Sequence, residues 1–304
     1  MTKERSPTRW AIDITRVLNE VLKDDRFPVR VLDVAKEYSR QVYPDDAITL
    51  IRAERLDGFE GMLAPAPRDR GKSGWGIFYN DHIEVASRIN FTLAHEFGHY
   101  LVHRKQFPDG RECSQRDMTR WDSEYAKIEA EANLFAANLL MPLDDFRSQL
   151  PADAAPTFDD IGACASRYDV SLTAAILRWL EYTSKRSLLV ASTDGFVLWA
   201  KPSRPALRSR LYIKTRGVPP VPLPESSPAA DRAVVIDQTT SMAHAPGVWF
   251  PKEGCEELVL FADRFDFALS LLHFADESRR NFDEDEESDD DARLLAADRG
   301  VRWK

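Results

Sequence analysis

Apolar residues recur at helical spacing over residues 8–22, at Trp10, Ile14, Val17, Leu18, Val21 and Leu22, which predicts a helix with one buried face. A shorter helix is predicted after Asp33, through Val34, Ala35 and Tyr38, ending before Pro44. The period then changes. Residues 47–56, 59–64 and 75–79 are rich in β-branched and aromatic side chains and are separated by Asp57-Gly58 and a polar loop over 65–73, which predicts a small antiparallel sheet. Helical spacing returns over 88–103, with Ile89, Leu93, Phe97, Tyr100 and Leu101 on the apolar side and Asn90 or Thr92 expected near its cap. A polar loop over 108–122 leads into a long helix over 123–141, which presents Ile128, Ala132, Phe135, Ala136, Leu139 and Leu140 inward and stops at Pro142. Further helices are expected over 144–150, 158–168 and 172–183.

Beyond Lys185 the pattern becomes strand-like. Residues 188–192 and 196–201 flank Thr193-Asp194-Gly195 as a hairpin, and 211–214, 233–236, 257–262 and 267–274 are further expected strands. The proline-rich stretch 217–227 is expected to be an extended connection. The chain therefore reads as α+β, with a helical and small-sheet domain over 1–185, a β-rich domain over 186–275 and an acidic tail over 276–304 expected to be disordered. At 304 residues and 43% hydrophobic content, with 7 Trp and 16 Phe, it can build substantial cores. Residues 283–291 hold eight acids, so nearly all of the net charge of −9 sits there and the body is close to neutral. That balance lacks the basic stripe of a nucleic-acid binder. The N-terminal MTKERSPTRW lacks a signal-peptide core, no apolar run is long enough for a membrane span, and Cys113, Cys164 and Cys255 are odd in number and far apart. A cytoplasmic protein with free thiols is the expectation.

The chemistry concentrates in one helix. His95-Glu96-Phe97-Gly98-His99 reads H-E-x-x-H, and four helical residues turn the chain about 400°, leaving the imidazoles about 40° apart and roughly 6 Å along one face. Both rings can reach one metal ion. Glu96, about 100° round from His95, suits a base touching a metal-activated water. The apolar flanks would bury this helix, and two unliganded histidines beside a glutamate would then be costly to desolvate.

A catalytic zinc wants three protein ligands and one open position. His103 lies one turn beyond His99, about 12 Å from His95, too far to close the same site, and is read as a helix-end residue. The third donor must come from elsewhere, and the 123–141 helix offers Glu124, Glu129 and Glu131. Glu129 lies one turn before Asn133, so a ligand carboxylate and an amide that fixes a ligand histidine's tautomer can share one face. Glu131 points elsewhere.

The runs Ala94-His-Glu-Phe-Gly-His99 and Glu129-Ala-Glu-Ala-Asn-Leu-Phe-Ala-Ala-Asn-Leu-Leu-Met-Pro142 resemble the ImmA/IrrE family of zinc metallopeptidases, gluzincins with H-E-x-x-H and a downstream glutamate. Residues 77–92 and 168–178 are similar to that family too, so the resemblance covers about 8–183. It implies a zincin-like fold, with His95, His99 and Glu129 as ligands of one zinc and Glu96 as general base. Mn2+ or another divalent ion is the alternative metal. It further implies cleavage of a helix-turn-helix repressor in a stress, mobile-element or phage response.

Tyr79, Tyr100, Arg178 and His82 are candidates for a donor to the transition state. An edge strand near 59–64 or 75–79 could hold an extended substrate by β-addition. The rival from another class is a DNA-binding regulator, since 158–180 resembles a helix-turn-helix. Its second helix, LTAAILRWL, has Arg178 as its one long polar side chain and is read as a packing element, so no direct nucleic-acid or membrane partner is expected. A broad toxin or anti-phage protease and a non-catalytic repressor-binding regulator are the other readings. The β-rich domain is expected to select substrate or sense a trigger.

Overall fold

A computed structural model of the chain describes residues 5–66, 73–108, 123–231, 241–262 and 266–276, with side chains from 126 onward in the third stretch. The expected strand over 233–236, Cys113, Glu124 and the acidic run lie outside the described side chains. The chain divides into two compact units, Met1–Phe146 with Ser166–Ser171, and Arg147–Ala165 with Leu172–Lys304.

In the first unit, α1 (Pro7–Leu22) begins where the Ser6 side chain accepts from the Arg9 N–H and Pro7 opens the first turn. Helix α2 (Val31–Val42) leads into a sheet of β1 (Ile48–Glu54), β2 (Gly61–Pro65) and β3 (Trp75–Asn80). The strand order is β1-β3-β2, with β1 parallel to β3 and β2 antiparallel to it, so the sheet is mixed rather than antiparallel throughout. Period-2 alternation marks strands but not their neighbours. What sets the order is the β1–β2 connection, which passes round the end of β3: the Asn80 side-chain amide donates to both Leu56 O and Phe59 O, at 2.6 and 2.7 Å.

Helix α3 (Ala86–Val102) follows with Val85 as N-cap and no side-chain cap; Asn90 instead donates to Val29 O and Thr92 is buried. Helix α4 (Ser123–Leu140) packs on α3 at Gly98, where an added Cβ would lie 3.0 Å from the Phe135 ring and 3.3 Å from Ala132 Cα. The glycine therefore permits close backbone approach. Phe97, at the centre, meets Phe135 edge-on at 5.5 Å and stacks beside Tyr100. Helix α5 (Leu143–Gln149) carries Asp145, which accepts from Arg167 and from the Tyr168 hydroxyl at 2.6 Å, anchoring residues 166–171 in this unit.

The second unit holds most of α6 (Phe158–Tyr168), all of α7 (Leu172–Leu180), and an antiparallel sheet of order β5-β4-β8-β7-β6. Its strands are β4 (Ser187–Thr193), β5 (Phe196–Pro202), β6 (Met242–His244), β7 (Cys255–Ala262) and β8 (Phe267–Phe274). Asp194 and Gly195 both have positive φ, as the primed turn of a tight hairpin requires. Residues 211–214 form no strand. They follow a short helix, α8 (Arg204–Arg208), that Ser203 caps, and the Leu211 N–H closes its end on Ala206 O while the Leu211 side chain joins the core. Leu188, Val190, Val259 and Leu272 form one face of that core.

Candidate metal centre

The α3–α4 packing brings three donors together. His95 Nε2 and His99 Nε2 are 2.9 Å apart, and the Glu129 carboxylate reaches them at 3.3 and 3.5 Å. Ligand atoms bonded at about 2.0–2.1 Å in a tetrahedron stand roughly 3.3 Å apart, so these separations fit a small divalent ion. Among the described residues this is the one cluster of three such groups, with all ligand atoms within 4.8 Å of one another. The rings present the right nitrogens. His95 Nδ1 donates to Asn133 Oδ1 at 3.0 Å, and because an amide oxygen only accepts, the proton stays on Nδ1 and Nε2 is left to the site. Burial disfavours a charged His95 ring, but the Glu129 carboxylate, with Glu96 and Asn133, outweighs it and raises its pKa.

Glu96 lies beside this set, 3% exposed. Burial raises its carboxyl to about 7, against the pull of His95 and with the repulsion of Glu129. On its other side is β2: a Cβ built on Gly61 would sit 2.7 Å from Glu96 Oε1 and 2.6 Å from Thr92 Cγ2. Only a glycine lets this strand lie against the carboxylate. β2 is an edge strand, while 75–79, expected as an alternative edge, forms the central one. Glu60 O accepts from Asn80 N and Ala66 N donates to Gly74 O, so even positions of β2 face β3 and the N–H and C=O of Gly61 and Leu63 face the open edge.

Residues 45–180 match the family model described as the IrrE N-terminal-like domain, a peptidase family. This part of the chain is similar to the ImmA/IrrE family. No curated protein matches the chain.

Within the IrrE-like domain the four expected transition-state donors have different fates. Tyr79 pairs with Gly61 across β2 and β3, and directly opposed residues share a face, so its side chain leaves the sheet on the side of Glu96. Tyr100 does not reach the site: fully buried, it donates its hydroxyl to Asp46 O at 2.8 Å and packs against Trp75 and Phe97. Arg178 belongs to the second unit, where it is buried and paired with Glu181 at 2.6 Å. His82 stands exposed in the turn after β3. Two residues set aside in the sequence enter the site's surroundings. His103 Nδ1 lies 3.1 Å from His99 Nδ1, and His103 Nε2 lies 3.0 Å from Glu131 Oε2. The one local signal for this was a third histidine at the same four-residue spacing.

Proposed function

We propose that the chain is a metal-dependent endopeptidase, with zinc held by His95, His99 and Glu129, acting on an extended segment of another protein. The observation that carries this reading is the position of Glu96, buried between three convergent donors and the glycine of an open sheet edge. Zinc bound there would supply Lewis acidity, lowering the pKa of a coordinated water toward 7 and polarising the scissile carbonyl. The chain's own groups do the rest. Gly61 and Leu63 offer backbone N–H and C=O groups to a substrate strand, which Gly61 allows to run directly over Glu96. Glu96 takes the proton of the attacking water and delivers it to the leaving amine nitrogen. Tyr79, on the same face, is the donor to the developing oxyanion.

The substrate class we favour is a helix-turn-helix repressor cleaved in a stress, mobile-element or phage response, in the cytoplasm. Supporting a protease rather than a DNA reader, α7 buries six of its nine residues, Arg178 included. Among the described residues no helix is long and apolar enough to cross a membrane. The β-rich second unit is assigned to substrate selection or trigger sensing.

Mapping new protein N-termini in cells expressing the wild type or Glu96→Gln tests the whole reading. Glu96→Gln is expected to keep its metal and lose about 10²–10⁴-fold in rate. One new terminus in a helix-turn-helix protein, absent with Glu96→Gln, supports the specific repressor protease. Many termini indicate a toxin or defence protease. Full biological effect with Glu96→Gln overturns catalysis in favour of sequestration.

A further inference from the structure

His99 must hold its Nε2 lone pair toward the proposed metal, so its one ring proton belongs on Nδ1. Where His95 Nδ1 meets an amide oxygen, His99 Nδ1 faces His103 Nδ1 at 3.1 Å. Two histidine nitrogens cannot both donate or both accept, so something must decide which carries the proton. Glu131 decides it. An ionised carboxylate only accepts, and its Oε2 lies 3.0 Å from His103 Nε2, which therefore carries the His103 proton. His103 Nδ1 is left bare and can only accept, His99 Nδ1 donates to it, and His99 Nε2 is left to the metal.

The pieces are built to hold this order. His103 is the C-cap of α3, 2% exposed, with its backbone N–H on His99 O at 2.8 Å. Its ring is thus fixed one turn along from His99, with centroids 5.1 Å apart. Glu131 comes from α4, two residues from Glu129 and two from Asn133. We propose that Glu131 and His103 are positioning residues that set the tautomer of His99 through a carboxylate–imidazole–imidazole chain, so that one stretch of α4 supplies a ligand and orients both histidines. This rests on the metallopeptidase reading above. The charge of Glu131 makes His99 the more strongly supported of the two imidazoles.

The test has two independent readouts on the full chain. In metal-free wild type, long-range ¹H–¹⁵N imidazole spectra are expected to place the proton of His99 on Nδ1 and that of His103 on Nε2. Competition with a chelator of known zinc affinity is expected to show about 10–100-fold weaker binding for Glu131→Ala and for His103→Phe. Glu131→Gln, whose amide oxygen still accepts, should recover part of that loss, and the proton order in the wild-type spectra is the readout that a merely structural contact would not set. Circular dichroism and thermal unfolding establish that each variant compared is folded, and the wild-type spectra need no variant at all. A His99 proton on Nε2 in the wild type, or zinc affinity within twofold of wild type for folded Glu131→Ala, overturns the relay. A wild type that takes up no zinc overturns the metallopeptidase reading instead, while its spectra still decide the order of protons.

Discussion

Gly61→Ala separates two effects of opposite sign. The Gly61 backbone does not have positive φ, so alanine fits its conformation and would ordinarily stabilise by about 0.4–1 kcal/mol through the unfolded chain. The added methyl, however, would stand 2.6 Å from Thr92 Cγ2 and 2.7 Å from Glu96 Oε1. Carbon contacts are normally about 3.5–4.0 Å, so β2 or the Glu96 side chain must yield by roughly 1 Å. Overpacking of this kind costs about 1–3 kcal/mol and outweighs the backbone gain. The larger effect falls on rate, because roughly 1 Å at a reacting group can cost about 10²-fold.

Initial rates on the substrate found by terminus mapping should therefore fall by about two orders of magnitude, while zinc occupancy stays full and the thermal transition drops by only a few degrees. The atoms nearest the new methyl belong to Thr92 and Glu96, not to His95, His99 or Glu129, the three groups that could hold the ion. A Cβ added at Gly162, in α6, would meet nothing within 4 Å, so Gly162→Ala is the matched control, expected to stabilise by up to about 1 kcal/mol with unchanged rate. Gly61→Ala that is folded, metal-loaded and within threefold of wild-type kcat/KM would refute the apposition of β2 and Glu96 as a requirement for turnover.

Other expectations concern the second unit. Glu257 is buried and accepts from the Ser227 hydroxyl at 2.8 Å and the Trp249 indole at 3.1 Å, with His244 Nε2 at 2.7 Å; Glu257→Ala strands all three and should cost about 3–5 kcal/mol in denaturant unfolding, a loss below 1 kcal/mol arguing against the knot. His273 accepts from the Ser187 hydroxyl on Nδ1 and donates from Nε2 to Pro156 O, and burial lowers its pKa against the help of that carbonyl. A depressed histidine stabilises the fold above the unfolded value of about 6.5, and that stability is lost as pH falls from there through the folded value. Melting curves from pH 7.5 to 5 should fall more steeply for wild type than for His273→Gln, and parallel curves would contradict this.

Local signals carried much of the architecture. The helical period located α1, α3 and α4, and Thr193-Asp194-Gly195 located the β4–β5 hairpin, because amphipathic faces and turn residues are written in neighbouring positions. Strand order was not legible: nothing in 47–79 says that β3 lies between β1 and β2, since that order depends on Asn80 holding a connection twenty residues earlier. Alternation in 211–214 suggested a strand, but its backbone closes a helix that the Ser203-Arg204-Pro205 start could have revealed.

The site shows the same division at finer scale. Four-residue spacing was enough to bring His95 to His99 and Glu129 to Asn133, because both pairs are one helical turn apart. It was also the reason to set His103 aside, and for direct ligation that reasoning stands, since no ion can bind three rings spread over two turns of one helix. The same spacing places His103 where it can touch the outer nitrogen of His99. A helical wheel for α4 alone turns Glu131 away from Glu129 and leaves it without a function. The crossing of α4 over the end of α3 adds to its local neighbour Lys127 a partner 28 positions away, so the His95–His99 pair needs only one helix while Glu129 and the groups that contact the outer ring nitrogens demand tertiary structure.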